Sequence, residues 1–258
     1  MTSRSAPRPG PLPASQGDGD WPLLALTLHM LEHLAPRLFE QLGLGALQRE
    51  ALEQCQAVAY DFSGDADRLQ AGVDAWYCRH LKGLPHPPPD GDALRRALRA
   101  LAEDDQLIYA WLIGEQAARC GLDVRVDVGP RPFMHGSRLH DAYWVTHLVM
   151  LGSDYFARPL THPDAQAWGD ALTALIPWLE QNPNADLAGE VAFCLRFLRR
   201  DASAALDLLQ RAPATEDPHA QATALLALSV ESPDSAPDER VRYNAVAENS
   251  QGSVTSVG

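Results

Sequence analysis

The sequence predicts an all-α protein, and three observations carry that prediction. Apolar residues recur at helical spacing in nearly every segment between Trp21 and Ser229. Only residues 122–128 alternate with period two, and one isolated strand cannot build a sheet. The connections are short and punctuated by Gly or Pro, as they are between packed helices. Stacked helical hairpins follow, forming a curved α/α array or a partial α/α toroid with disordered termini. No fixed-period motif of the tetratricopeptide or ankyrin kind is present.

The elements are justified in chain order. Residues 1–20 are Pro, Ser, Gly and Arg with little to bury, and read as a disordered N-terminal tail. Residues 23–34 place Leu24, Leu28, Leu31 and Leu34 on one side before Pro36, and residues 37–42 add a turn or two. Residues 46–60 repeat apolar positions at Leu47, Ala51, Cys55 and Val58. Residues 65–81 do so through Leu69, Val73, Trp76 and His80. The proline run of residues 85–89 must be extended, because proline lacks the helix donor and clashes in helix interiors. Asp90 or Asp92 then caps a helix to about residue 102.

A helix over residues 105–120 stops at Gly121, a natural C-terminal cap. Residues 122–128 read as an extended connector or a small hairpin arm, and residues 129–136 as a loop. Residues 138–156 form a long helix, with Pro159 breaking the chain after it. Residues 163–181 are helical with a kink at Pro177. Helices over residues 185–199, 202–211 and 219–229 complete the series, and the polar residues 230–258 read as a second disordered tail. One helical domain over residues 21–229 is the simplest partition.

The formal net charge of −13 argues against a nucleic-acid partner, which needs concentrated Lys and Arg. The basic groups Arg95, Arg96 and Arg99, and Arg196, Arg199 and Arg200, read as solvated helix faces. Acidic character also disfavours anionic membranes, and no stretch approaches the about 20 apolar residues of a membrane span. Cys55, Cys78, Cys120 and Cys194 lie far apart without a Cys-x-x-Cys, and no secretory signal precedes them. A cytoplasmic protein with buried, reduced thiols is the expectation. Cofactor and oligomeric state are left open. The chain has no Gly-x-Ser-x-Gly elbow, phosphate-binding glycine loop or dinucleotide fingerprint. Trp76, Tyr77, Trp111, Trp144, Trp168 and Trp178 lie at helical spacing and read as core packing.

Chemistry concentrates in the helix of residues 138–156. His140, His147 and Asp154 recur every seven residues on one face, with Tyr143 and Thr146 between or beside them. Burying such a stripe is costly unless partners or a wet cavity accept it. Residues seven apart sit about 10.5 Å apart along a helix axis, so these three cannot hold one metal ion by themselves. His147 is the candidate proton acceptor or donor, Asp154 an orienting carboxylate, and His140, Tyr143 and Thr146 the substrate contacts. His135 adds an imidazole just before the helix. The same groups can also simply tie the helix to its neighbours.

Two further groups matter. His29-Met30-Leu31-Glu32-His33 has the His-x-x-Glu-His spacing of the inverted zinc peptidases, without the sheet those enzymes use. In Asp186-Leu187-Ala188-Gly189-Glu190, Asp186 reads as a helix cap. Glu190 is flanked by Leu187, Val191 and Cys194, so it is a candidate to face the same cavity and pair with a histidine, as an acid–base couple or half of a metal site.

Tyr143-x-x-Thr146-His147, six residues on to Ser153-Asp154-Tyr155, resembles an uncharacterised family of bacterial all-helical proteins with a Tyr-x-x-Thr-His…Thr-Asp-Phe/Tyr-Gly segment. Here Ser153 stands for the usual Thr, and Phe156 for a Gly. The Asp186–Glu190 segment is similar to an Asp-Leu-x-x-Glu helix start in that family, and Leu26 with His29, or Leu31 with His33, and Phe39 match an N-terminal helix loosely. The resemblance implies a helical domain and no particular reaction.

The functional expectation is a pocket lined by His140, Tyr143, Thr146, His147, Asp154 and Glu190. It binds or modifies a small molecule or short peptide, in a bacterial accessory or secondary-metabolic pathway. The competing expectation is a non-catalytic protein-interaction module whose polar stripe is structural. Convergence of His147 and Glu190 to within about 3–5 Å favours the first.

Overall fold

A computed structural model of the protein describes residues 20–126, 138–213 and 217–230, with the side chain of Asp20 left aside. The expected terminal tails, His135 and the loop around it, and the end of the alternating segment lie outside the described residues. Among those described there are eleven α-helices and no strand. The all-α class therefore holds, and residues 122–126 run on as irregular chain.

Helix α1 (Asp20–Leu34) gives way to α2 (Pro36–Gln41), whose first-turn proline needs no donor there. Helix α3 (Gly45–Gln54) tightens into a 3-10 turn, Cys55–Ala57, and the chain turns extended at Val58, earlier than the apolar repeat suggests. Helix α4 (Ala66–Leu81) starts where Asp65 accepts the Arg68 amide, and α5 (Gly91–Glu103) where Asp90 accepts that of Ala93. Helices α6 (Leu107–Arg119), α7 (Arg138–Gly152) and α8 (Ala165–Gln181, with Pro177 inside it) follow. Asn184 caps α9 (Ala185–Phe197), and α10 (Ser203–Arg211) precedes α11 (Pro218–Ser229), capped by Asp217.

The helix contacts close into a circuit. Helix α1 packs on α4, α4 on α6, α6 on α7, α7 on α9, α9 on α11, and α11 back on α1. Helices α2 and α3 lie against α1, α5 against α6, α8 against α7 and α9, and α10 against α9. The main core runs through Leu28, Tyr77, Val149, Leu172, Leu187, Phe193 and Leu226. A second apolar cluster, with Leu69, Trp76, Leu94, Leu98 and Ile113, fills the space between α4, α5 and α6. Every circuit helix also buries polar side chains: His29 on α1, Arg79 on α4, Gln116 on α6, Thr146 on α7, Glu190 on α9 and Thr223 on α11. Such groups are tolerated only with partners, so they mark where hydrogen bonds cross the bundle. No helix among the described residues is long and apolar enough to cross a membrane.

Helix α7 ends at Gly152, four residues before the apolar pattern stops. The Ser153 hydroxyl donates to the Val149 carbonyl at 2.8 Å and accepts the Phe156 amide at 3.0 Å. Asp154, Tyr155 and Phe156 then take φ of 49°, 53° and 72°. Each left-handed L-residue costs about 1–2 kcal/mol, so tertiary contacts must hold the turn. The Tyr155 ring lies 5.7 Å from that of Tyr77, and its hydroxyl accepts the Gln116 amide at 3.2 Å. Phe156 packs its ring 5.6 Å from Phe193 and 4.8 Å from Phe197.

Candidate functional site

Three helices each present a polar pair one turn apart: Tyr143 and His147 on α7, Asp186 and Glu190 on α9, His219 and Thr223 on α11. Two caps set this level. The Asn184 side chain accepts the Leu187 amide at 2.9 Å, which releases Asp186 from capping and turns it inward. Asp217 accepts the His219 amide at 3.0 Å and fixes the first turn of α11. Between α9 and α11, a Cβ on Gly189 would stand 3.0 Å from the Thr223 carbonyl carbon, so any other residue there would press α11 away by a few tenths of an ångström.

Asp186 joins the three helices. Its Oδ2 accepts the Tyr143 hydroxyl at 2.8 Å; its Oδ1 accepts His219 Nδ1 at 2.7 Å and the Thr223 hydroxyl at 3.0 Å. Burial opposes its charge, but the His219 bond and charge, with Tyr143 and Thr223, hold the carboxyl below its usual range. For His219, burial works against the cation, and the hydrogen bond and charge of Asp186, with Glu190, carry it up to about 9. The two form an ion pair at neutral pH.

Glu190 is 2% exposed, and burial followed by the Asp186 charge pushes its carboxyl up to about 8. The Thr146 contact admits that proton, although a bond donated by Thr146 to the carboxylate would favour the charged form. Thr146 Oγ1 lies 2.5 Å from Glu190 Oε2 and 2.8 Å from the Tyr143 carbonyl oxygen, yet a hydroxyl has one proton to give. A protonated Glu190 donating to Thr146, with Thr146 donating to Tyr143, satisfies both contacts.

His147 Nδ1 lies 2.7 Å from the Tyr143 carbonyl oxygen, which only accepts, so Nδ1 carries the hydrogen and Nε2 the lone pair. Burial brings this imidazole down to about 4, against the pull of that hydrogen bond, and its side chain keeps 15% exposure. His147 Nδ1 and Glu190 Oε2 are 4.0 Å apart. A neutral base and a neutral acid thus sit side by side.

Of the predicted site residues, Tyr143, Thr146, His147 and Glu190 come together. His140 lies exposed in the first turn of α7. Asp154 is a correction: the left-handed turn carries it off the α7 face, and it does not orient His147. Its carboxylate instead meets Arg158 Nε at 2.9 Å and Arg119 at 3.9 Å, and its carbonyl accepts His29 Nε2 at 3.2 Å. Sequence reasoning assigned Asp186 to a cap and passed over His219 and Thr223. Asp74 on α4 was missed as well. Burial pushes it up to about 6, against amide bonds from Gln116 and Gln70 and the nearby charge of His219.

The His29, Glu32 and His33 ligand atoms lie within 4.8 Å of one another. The Lys82 ammonium already pairs with Glu32 Oε2, which also accepts Gln48 at 2.8 Å, so the protein's own cation fills that position. Burial brings His29 down to about 4. Comparison of the chain with protein-family models, curated proteins and solved structures finds no match.

Proposed function

We propose that the α7–α9–α11 cluster binds a small molecule or short peptide and acts on it by proton transfer. His147 accepts a proton through Nε2, and Glu190 is the neutral acid beside it. Asp186 and His219, with Tyr143 and Thr223, tie the three helices together beside them and keep the surroundings charge-balanced. One observation carries this reading: an imidazole and a carboxyl meet at 4.0 Å with the desolvated imidazole kept unprotonated and the desolvated carboxyl kept protonated. Environments that drive two neighbouring groups to the proton states of a base and an acid are how proteins prepare such couples.

The test is a fragment screen by thermal shift and ligand-observed NMR on wild type and His147→Ala. The proposal expects fragments that bind wild type and lose binding in the variant, while circular dichroism and melting change little. A second reading, an interaction module in which the cluster is structural, is favoured by the three donors that saturate Asp186 across α7, α9 and α11. It expects His147→Ala to unfold or melt far earlier, and no fragment to depend on His147.

A further inference from the structure

We infer that Asp186, Glu190 and His219 form a binding site for a divalent transition-metal ion. The inference rests on reading this cluster as a working centre, and it names the cofactor class of that centre. Two carboxylates and an imidazole, from two helices, have ligand atoms within 4.8 Å of one another. Ligands at about 2.0–2.2 Å from one ion stand a little over 3 Å apart, so side-chain shifts of about an ångström close the set. His219 makes that shift easily, because its side chain is 46% exposed and lies in the first turn of α11.

The surroundings are those of an ion site. Metal-binding carboxylates are held by outer hydrogen bonds; here Tyr143 and Thr223 hold Asp186, and once Glu190 gives up its proton the Thr146 hydroxyl turns from the Tyr143 carbonyl to hold it. Glu190 is almost wholly buried, with the Thr146 hydroxyl on its Oε2. His219 binds as the neutral imidazole and Glu190 as the carboxylate, and each releases one proton to water as the ion enters. The mixed oxygen and nitrogen set favours zinc, manganese or iron(II) over calcium or magnesium. Three protein ligands leave coordination positions for water or substrate, beside His147. In the His29, Glu32 and His33 group an ion would have to displace Lys82 from Glu32, whereas the cation on Asp186 is His219, which becomes a ligand on losing its proton.

The test titrates the chelator-treated full chain with ZnCl2 and MnCl2 by calorimetry, and with CoCl2 by visible absorption. One equivalent is expected to bind. Glu190→Gln and His219→Ala, checked by circular dichroism, are expected to weaken it by about 100-fold, while His33→Ala leaves it unchanged. Absence of saturable binding to wild type at millimolar metal overturns the inference, as does binding that both variants retain in full. His147-dependent fragment binding in protein that takes up no metal overturns this inference alone and leaves the proposed function standing. One-equivalent uptake lost in Glu190→Gln and His219→Ala, with no fragment depending on His147, supports the ion site and counts against the proton-transfer reading.

Discussion

Replacing Glu190 by Gln is expected to stabilise the chelator-treated protein at neutral pH. The ordinary carboxyl value is 4.5, and in the folded protein burial and Asp186 bring Glu190 to about 8. The folded state therefore holds a proton that the unfolded chain releases, and stability falls as pH rises from 4.5 towards 8. Each pH unit in that window costs about 1.4 kcal/mol, so roughly 3 kcal/mol is lost by pH 7. Gln has nearly the shape of the protonated acid and can donate to Thr146 as that acid does, but it has no proton to lose. Allowing for an imperfect Thr146 contact, the gain is about 1–3 kcal/mol at pH 7, shrinking towards zero at pH 4.5. Urea unfolding of both proteins at pH 5, 6, 7 and 8 reads this directly. A variant that is less stable than wild type at pH 8, with a difference that does not move with pH, refutes the reasoning.

Three further outcomes follow from the same geometry. His29 and His147 fold with values of about 4 against 6.5, so their contribution is complete above 6.5 and is lost as pH falls to 4. Each then forfeits about 3 kcal/mol, and His147→Gln should flatten the acid limb of a stability–pH profile by about one proton. Gly189→Ala pushes α9 from α11 at the Thr223 backbone and should cost about 1–3 kcal/mol in urea unfolding, with weaker tethering of Asp186 visible in NMR shifts of His219. Asp154→Asn should cost at most about 1 kcal/mol, because its partner Arg158 is largely exposed, and should leave the His147 titration where it is in wild type.

Much of the fold is legible from local pattern. Apolar spacing, the Asp90 cap and the proline positions depend on neighbours in sequence, and those elements appear where they point. Thr146, His147 and Glu190 stood out because polar groups interrupt apolar helix faces. The end of α7 was not legible, because the left-handed turn is stabilised by Tyr77, Gln116, Phe193 and Phe197, all distant in sequence. Asp154 consequently left the face that helical spacing gave it. His219 escaped notice for a similar reason. Nothing near it in sequence shows that α11 packs on α9, and its partner Asp186 looks like a cap until Asn184 is seen to take that role.

The proposed chemistry requires His147 and Glu190 to be a neutral base and a neutral acid in one site. Side-chain NMR of selectively labelled, chelator-treated protein measures both at once, through the Glu190 carboxyl carbon and the His147 ring nitrogens. Glu190 is expected to keep its proton up to about 8, and His147 to stay in the Nδ1-protonated neutral form down to about 4. Ordinary titration of Glu190 near 4.5 and His147 near 6.5 would contradict it.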